Sequence, residues 1–249
     1  MTAYRLGLIV PSSNTTMETE LPELFRRREA VAPERFTFHS ARMRMTRVTP
    51  EALAAMDSHS GDCAVELADA DCDVLAYACL VAVMASGRRA HVAAEERLAA
   101  AAGRPVVTSA GALAAGVRAL GVRRVALVAP YLPALTATAV DYLADLGVEV
   151  VDAVSLEVAD NLAVGRLDPA RLPGLVDGLD LSRAEAVVAS ACVQMPSLPA
   201  LEEIERRTGL PALSAATATA AAVLDRLGLA ARIPGAGRLL AGTVVPART

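Results

Sequence analysis

The chain repeats itself. Arg5-Leu-Gly-Leu-Ile-Val-Pro11 returns as Arg124-Val-Ala-Leu-Val-Ala-Pro130, and Asp73-Val-Leu-Ala-Tyr-Ala-Cys79 returns as Ala186-Val-Val-Ala-Ser-Ala-Cys192. A third pair follows in the same order, Arg104-Pro-Val-Val-Thr-Ser-Ala110 and Leu210-Pro-Ala-Leu-Ser-Ala-Ala216. The spacing between partners shortens along the chain, as loops of unequal length on one common plan would make it do. Each echoed segment is a short apolar or β-branched run with no polar alternation. Strands of a parallel sheet look like this when helices cover both faces.

Helical patterns lie between the runs. Thr49-Pro50-Glu51 reads as an N-cap, a proline at the first helical position and an acidic first turn, opening a helix that puts Leu53, Met56, Cys63 and Leu67 on one face. Thr15-Thr-Met-Glu18 has the spacing of a capping box, and its helix runs to Arg26-Arg27-Arg28, whose charges suit a C-terminal end. Helices over 112–120 and 217–227 are predicted to stop at Gly121 and Gly228. The fold class is therefore α/β, with two pseudo-symmetric halves. Each is a parallel sheet flanked by helices, and the active-site cleft lies between them. The joint falls within 112–123. That gives a first half of 1–115 carrying Cys79 and a second half of 116–249 carrying Cys192, with the C-terminal helix able to pack on the first half.

Composition removes several function classes. The 249 residues carry 24 Lys+Arg against 28 Asp+Glu, a net charge of −4, which leaves no electrostatic footprint for nucleic acid or a membrane surface. The longest strongly apolar run, Val74 to Ala85, falls short of the ~20 residues a spanning helix needs. The apolar run after Arg5 ends at Pro11, too early for a signal-peptide core. A cytoplasmic protein is expected, with Cys63, Cys72, Cys79 and Cys192 as reduced thiols. No His/carboxylate or CxxC spacing for a metal is present.

In open α/β sheets the ligand lies beyond the carboxyl ends of the strands. Applied here, that rule gathers Pro11-Ser12-Ser13-Asn14, Cys79, Thr108-Ser109, Pro130-Tyr131, Cys192-Val193-Gln194 and Ser214 around one cleft. The set is neutral and rich in hydrogen-bond donors, and it stands next to helix N-termini, which suits small carboxylates. A lone cysteine is ordinarily a small buried hydrophobe. Cys79 and Cys192 are a different matter, because they end matching strands and so face one ligand from opposite sides, where helix N-termini are expected to lower a thiol pKa. Cys63 and Cys72 lack that placement and read as structural. On position alone Asn14 is a turn or cap residue as readily as a ligand contact. Tyr131 could pack a loop, Asn161 reads as loop, and Arg42 and Arg44 read either as charges on an exposed strand or as contacts for an anion. His39, His59 and His91 have no partner at a metal or triad spacing.

Six stretches carry a resemblance. Pro11-Ser-Ser-Asn14, Tyr77 to Met84 around Cys79, Pro130-Tyr131, Glu157-Val-Ala-Asp-Asn161, Cys192 to Leu198 and Pro234 to Leu239 together resemble the maleate cis–trans isomerases of the aspartate/glutamate racemase superfamily. Arylmalonate decarboxylase and hydantoin racemase are relatives there. The likeness runs from Arg5 to about Leu240. It implies a cofactor-independent isomerase in which the Cys79 thiolate adds to the double bond of maleate, the C2–C3 bond rotates, and elimination leaves fumarate. It also implies that Cys192 assists as acid and base. Asn14, Tyr131 and Asn161 would hold the carboxylates, with Ser12, Ser13 and Val193 also at the substrate.

Three other readings compete. A two-cysteine racemase would use both thiols as acid and base on one Cα–H. A decarboxylase of the arylmalonate type fits less well, since that branch has no cysteine at the position of Cys79 and a bulky aryl group calls for more aromatic residues than this chain has. A non-catalytic binder of small dicarboxylates would share the fold. The expected partners are a small dicarboxylate and a second copy of the chain, as a homodimer.

Overall fold

The computed structural model describes residues 2–45 and 50–242. Thr49, the expected N-cap, lies outside the described residues. The order begins β1 (Ala3–Pro11), α1 (Met17–Glu29), β2 (Arg35–Met43), α2 (Pro50–Asp57), α3 (Ser60–Asp69), β3 (Val74–Tyr77), α4 (Leu80–Ala85), α5 (Ala90–Ala102), β4 (Val106–Thr108) and α6 (Ser109–Ala119), so a division between 115 and 116 falls inside α6. The chain continues through β5 (Arg124–Ala129), α7 (Pro133–Asp145), β6 (Glu149–Ser155), α8 (Asn161–Val164), α9 (Leu172–Asp177), β7 (Ala186–Ser190), α10 (Leu201–Thr208), β8 (Ala212–Ser214) and α11 (Ala215–Arg226).

The echoed segments are strands, and they occupy equivalent places. The two four-stranded sheets have the orders β2-β1-β3-β4 and β6-β5-β7-β8, one plan used twice. Every pairing is parallel, with Leu6 opposite Val74 and Leu75 opposite Val106 in one sheet, and Val125 opposite Ala186 and Val187 opposite Ala212 in the other. The central strands β3 and β7 are buried throughout, which explains their unbroken apolar sequences. The fold is the expected α/β arrangement of two sheets flanked by helices. In both sheets the chain leaves the first strand to one side and returns on the other. The switch points therefore lie between β1 and β3 and between β5 and β7, where such sheets open a crevice.

Two helical expectations are corrected. The pattern from Pro50 to Leu67 is two helices, α2 and α3, because the Ser58 and Ser60 hydroxyls turn back onto the Ala55 and Asp57 carbonyls and break the ladder between them. Leu53, Met56, Cys63 and Leu67 are nonetheless all buried. The capping box at Thr15 and Glu18 does not form. Helix α1 starts at Met17, whose N–H donates to Asn14 Oδ1 at 3.1 Å, while Glu18 pairs with Arg42. Helices α6 and α11 do end as expected, at Gly121 and Gly228, whose φ of +75° and +68° lie in the left-handed region that glycine enters freely.

The two halves interlock through these helices. Helix α11, at the end of the second sheet, packs on α6, α1, β3 and β4, and α6 in turn reaches β8. The Thr219 hydroxyl donates to Ser109 Oγ at 3.0 Å across the contact. No helix among the described residues is long and apolar enough to cross a membrane.

Candidate active site

One cavity opens between the two switch points. Pro11 and Asn14 from the end of β1, Cys79 and Val81 from the end of β3, Tyr131 from the end of β5, and Cys192, Val193 and Gln194 from the end of β7 all line it, with Asn161 from the start of α8. Met45, Leu132, Leu135 and Val164 supply apolar wall. Among the described residues, none of those lining it carries a formal charge. The fourth strands contribute nothing here. The Thr108 hydroxyl caps α6 by accepting from Gly111 N, and Ser214 caps α11 in a reciprocal pair with Thr217, so the strand-end rule overreached at both sheet edges.

Cys79 is the N-cap residue of α4 and is 4% exposed; Cys192 is 7% exposed. The strand-end Ala78 is fixed by its N–H on Ile9 O, at 2.9 Å, which sets Cys79 at the mouth of the first sheet. The corresponding bond in the second sheet runs from Ala191 N to Val128 O, also 2.9 Å. The expected lowering of thiol pKa does not occur. Burial outweighs the single N–H of Ala82 beside Cys79, and that thiol is pushed up to about 12, with negative charge on Cys192 or Asp57 adding to the rise. Burial raises Cys192 as well, but there the Tyr131 hydroxyl and the N–H groups of Gln194 and Met195 pull the other way. Cys192 has more donors beside its sulfur than Cys79 has.

The Tyr131 hydroxyl donates to Ala191 O at 3.0 Å and sits beside the Cys192 sulfur. Burial lifts its own pKa well above 10, so it stays a donor at neutral pH. Asn14, 1% exposed, caps α1 through Oδ1, and its Nδ2 is left as the amide group at the cavity wall. Asn161 is brought in by an extension of the second sheet. Leu156, Glu157 and Val158 donate their N–H groups to Ala129, Tyr131 and Pro130 carbonyls, and Glu157 turns the chain with φ +55°. Asp160 then caps α8 through Leu162 N.

Ser12 and Ser13 stand behind the cavity wall. Ser12 Oγ exchanges hydrogen bonds with the Met45 backbone, and Ser13 Oγ accepts from Asn161 Nδ2 at 2.6 Å. Arg42 stands exposed on the edge strand β2, as the alternating charges suggested, and its guanidinium donates to the Ser12 and Asn14 carbonyls at 2.8 Å each and pairs with Glu18. Glu20, a buried carboxylate on α1, accepts from Ser197 N at 2.5 Å and Leu198 N at 2.7 Å in the loop beyond Cys192. No sequence signal marks either residue for these roles, since each acts on backbone groups of a distant segment. Cys63 and Cys72 are buried away from the cavity as free thiols. His91 Nδ1 lies 2.5 Å from the Tyr142 hydroxyl. Among the described residues no group of three or more His, Cys, Asp or Glu is placed to hold a metal ion.

The arrangement can bind a small anion through neutral donors and present two thiols to it, and the comparisons with known proteins agree with that chemistry. A family model for arylmalonate decarboxylase matches residues 6–240. A maleate isomerase of Geobacillus stearothermophilus is 54% identical over 245 residues, covering 96% of this chain and 98% of that protein. The maleate isomerase Iso of Pseudomonas putida S16, solved as a cysteine-to-alanine variant with maleate, superposes with a TM-score of 0.96 at 52% identity, covering 98% of this chain and 99% of its own. A cysteine-to-serine variant of the Nocardia farcinica maleate cis-trans isomerase, solved with a covalently bound succinylcysteine intermediate, gives a TM-score of 0.91 at 48% identity, covering 96% and 98%. With matches this close along almost its whole length, the chain belongs to the maleate isomerases, within the arylmalonate decarboxylase family.

Proposed function

We propose that this protein isomerises maleate to fumarate without a cofactor, with Cys79 as nucleophile and Cys192 as acid and base. One observation carries the reading: two thiols at matched strand ends share a cavity with the polar groups of Asn14, Tyr131 and Asn161. The succinylcysteine in the Nocardia farcinica relative is what thiol addition to maleate leaves behind.

The reactive form of the pair has one proton between the two thiols. Cys192 is the thiol that gives up its proton to form this state, because two backbone N–H groups face its sulfur and the Tyr131 hydroxyl lies beside it. It takes the proton of Cys79 as the Cys79 sulfur bonds to C2 of maleate. The π electrons move to C3 and into its carboxylate, where N–H and O–H donors stabilise the charge. Cys192 returns the proton to C3, giving a succinyl adduct. The bond between C2 and C3 is now single and rotates. Cys192 removes the proton from C3, the double bond re-forms as trans, the C2–S bond breaks, and the leaving Cys79 sulfur recovers its proton. Nothing is oxidised or reduced.

The same reading places the enzyme in the cytoplasm, where four free thiols stay reduced, as a homodimer. The test is to mix the purified protein with maleate and follow fumarate by proton NMR, with Cys79→Ala alongside. Fumarate from the native protein and none from the variant is the expected result. If instead neither yields fumarate while an amino acid exchanges its α-proton in deuterated water, the racemase reading takes its place.

A further inference from the structure

We infer that Gln194 is a positioning residue that holds the three ligand-bearing segments of this site in register. The inference rests on the isomerase reading for its effect on turnover, but its geometry stands apart from it. Gln194 follows Cys192 by two positions and is 3% exposed, and every polar atom of its side chain is engaged. Nε2 donates to Ser13 O at 2.9 Å and to Asn161 O at 3.0 Å. Oε1 accepts from Thr15 N at 3.0 Å and lies 3.5 Å from Thr16 N. The backbone is used as well: its N–H points at Cys192 Sγ at 3.4 Å, and its carbonyl accepts from the Thr16 hydroxyl at 2.7 Å.

One side chain thus joins the loop after β1, the start of α8 and the loop after β7, which carry Asn14, Asn161 and Cys192 respectively. Both ends of the amide are needed. Two carbonyls require the NH₂ group and two N–H groups require the oxygen, so neither a carboxylate nor an apolar side chain can replace it. The described lining of the site consists of neutral donors and apolar side chains, and such donors bind best when they are aligned before the ligand arrives. Gln194 supplies that alignment.

Gly165 offers a way to test this without touching Gln194 or the cavity lining. It ends α8 at φ −68°, which alanine adopts without strain, but a methyl group there would meet Gln194 Nε2 at 2.7 Å. The experiment compares native protein, Gly165→Ala and Gln194→Glu in three measurements. These are steady-state maleate turnover, the rate at which iodoacetamide alkylates Cys79, and hydrogen exchange of peptides covering residues 13–17 and 161–165. Both variants should raise KM about tenfold or more, tenfold being the loss of one well-made polar contact to an anion. Cys79 alkylation should stay within about twofold, since its strand and α4 are not moved. Exchange in both peptides should accelerate. Unchanged KM and exchange in folded Gly165→Ala and Gln194→Glu would overturn the inference, as would losses in kcat and Cys79 reactivity that simply track melting temperature. Failure of the isomerase reading looks different: the native protein then makes no fumarate, while exchange still reports on Gln194.

Discussion

Asn161 Nδ2 donates to the Ser13 hydroxyl at 2.6 Å, which ties the second half of the chain to the loop that ends the first strand. Asn161→Asp keeps the shape but replaces that donor with an acceptor and puts a carboxylate into a cavity that has to receive a dianion. The expected result is a rise in KM for maleate of about 100-fold, combining a lost donor with like-charge repulsion. Ser13→Ala removes only the acceptor and should cost about three- to tenfold. Steady-state kinetics, with calorimetric titration of fumarate as a check on binding, separates the two. Equal effects from both would mean that Asn161 acts only through Ser13.

The buried thiol of Cys79 gives the protein a characteristic response to alkali. Thiolate is the reactive form, so with a pKa near 12 its alkylation by iodoacetamide should climb about tenfold per pH unit from pH 7 to 9, where an ordinary thiol begins to level off. Stability follows from the same shift. The folded chain keeps a proton that the unfolded chain releases near pH 9, so the contribution is intact below that point and is lost as pH rises from 9 towards 12. Melting temperature should therefore fall over this range in the native protein and fall less in Cys79→Ala. An alkylation plateau below pH 8 would contradict the assignment.

Arg42 is a support for the loop that carries Asn14. A guanidinium can donate to the Ser12 and Asn14 carbonyls and still pair with Glu18, whereas the compact ammonium of lysine cannot match that fork. Arg42→Lys should raise KM about three- to tenfold with kcat within about twofold, the signature of a loosened binding loop. Exposed Arg44, two residues on, is the control, and Arg44→Ala should leave both constants unchanged.

Much of this was legible in the residues, for a physical reason. Buried parallel strands must be apolar on both faces, so β1, β3, β5 and β7 announced themselves, and the repeated order of the echoes matched the repeated order of the sheets. Ligands collect at switch points, so Asn14, Cys79, Tyr131, Cys192 and Gln194 were picked out by their position after a strand. The same rule failed at Thr108 and Ser214, because strand position alone does not say which strands flank the switch. Asn161 was beyond pattern, since its place depends on backbone pairing past the end of β6 and on a left-handed turn at Glu157. The thiol pKa values were misjudged from sequence because helix N-termini are visible there and the depth of burial is not. Arg42 and Glu20 act on main-chain groups, which every residue has, and so leave no mark on the partner's sequence.

The crossing of α6 and α11 has a consequence for how such a molecule can be divided. Each helix closes one sheet's chain yet lies on the other's surface, as two hands grip each other's wrists. A half cut after Leu120 would expose the face of β3 and β4 that α11 covers, and the remainder would lose α6 from beside β8. Neither fragment has a complete core, so each should be insoluble when made alone, while the two made together should reassemble.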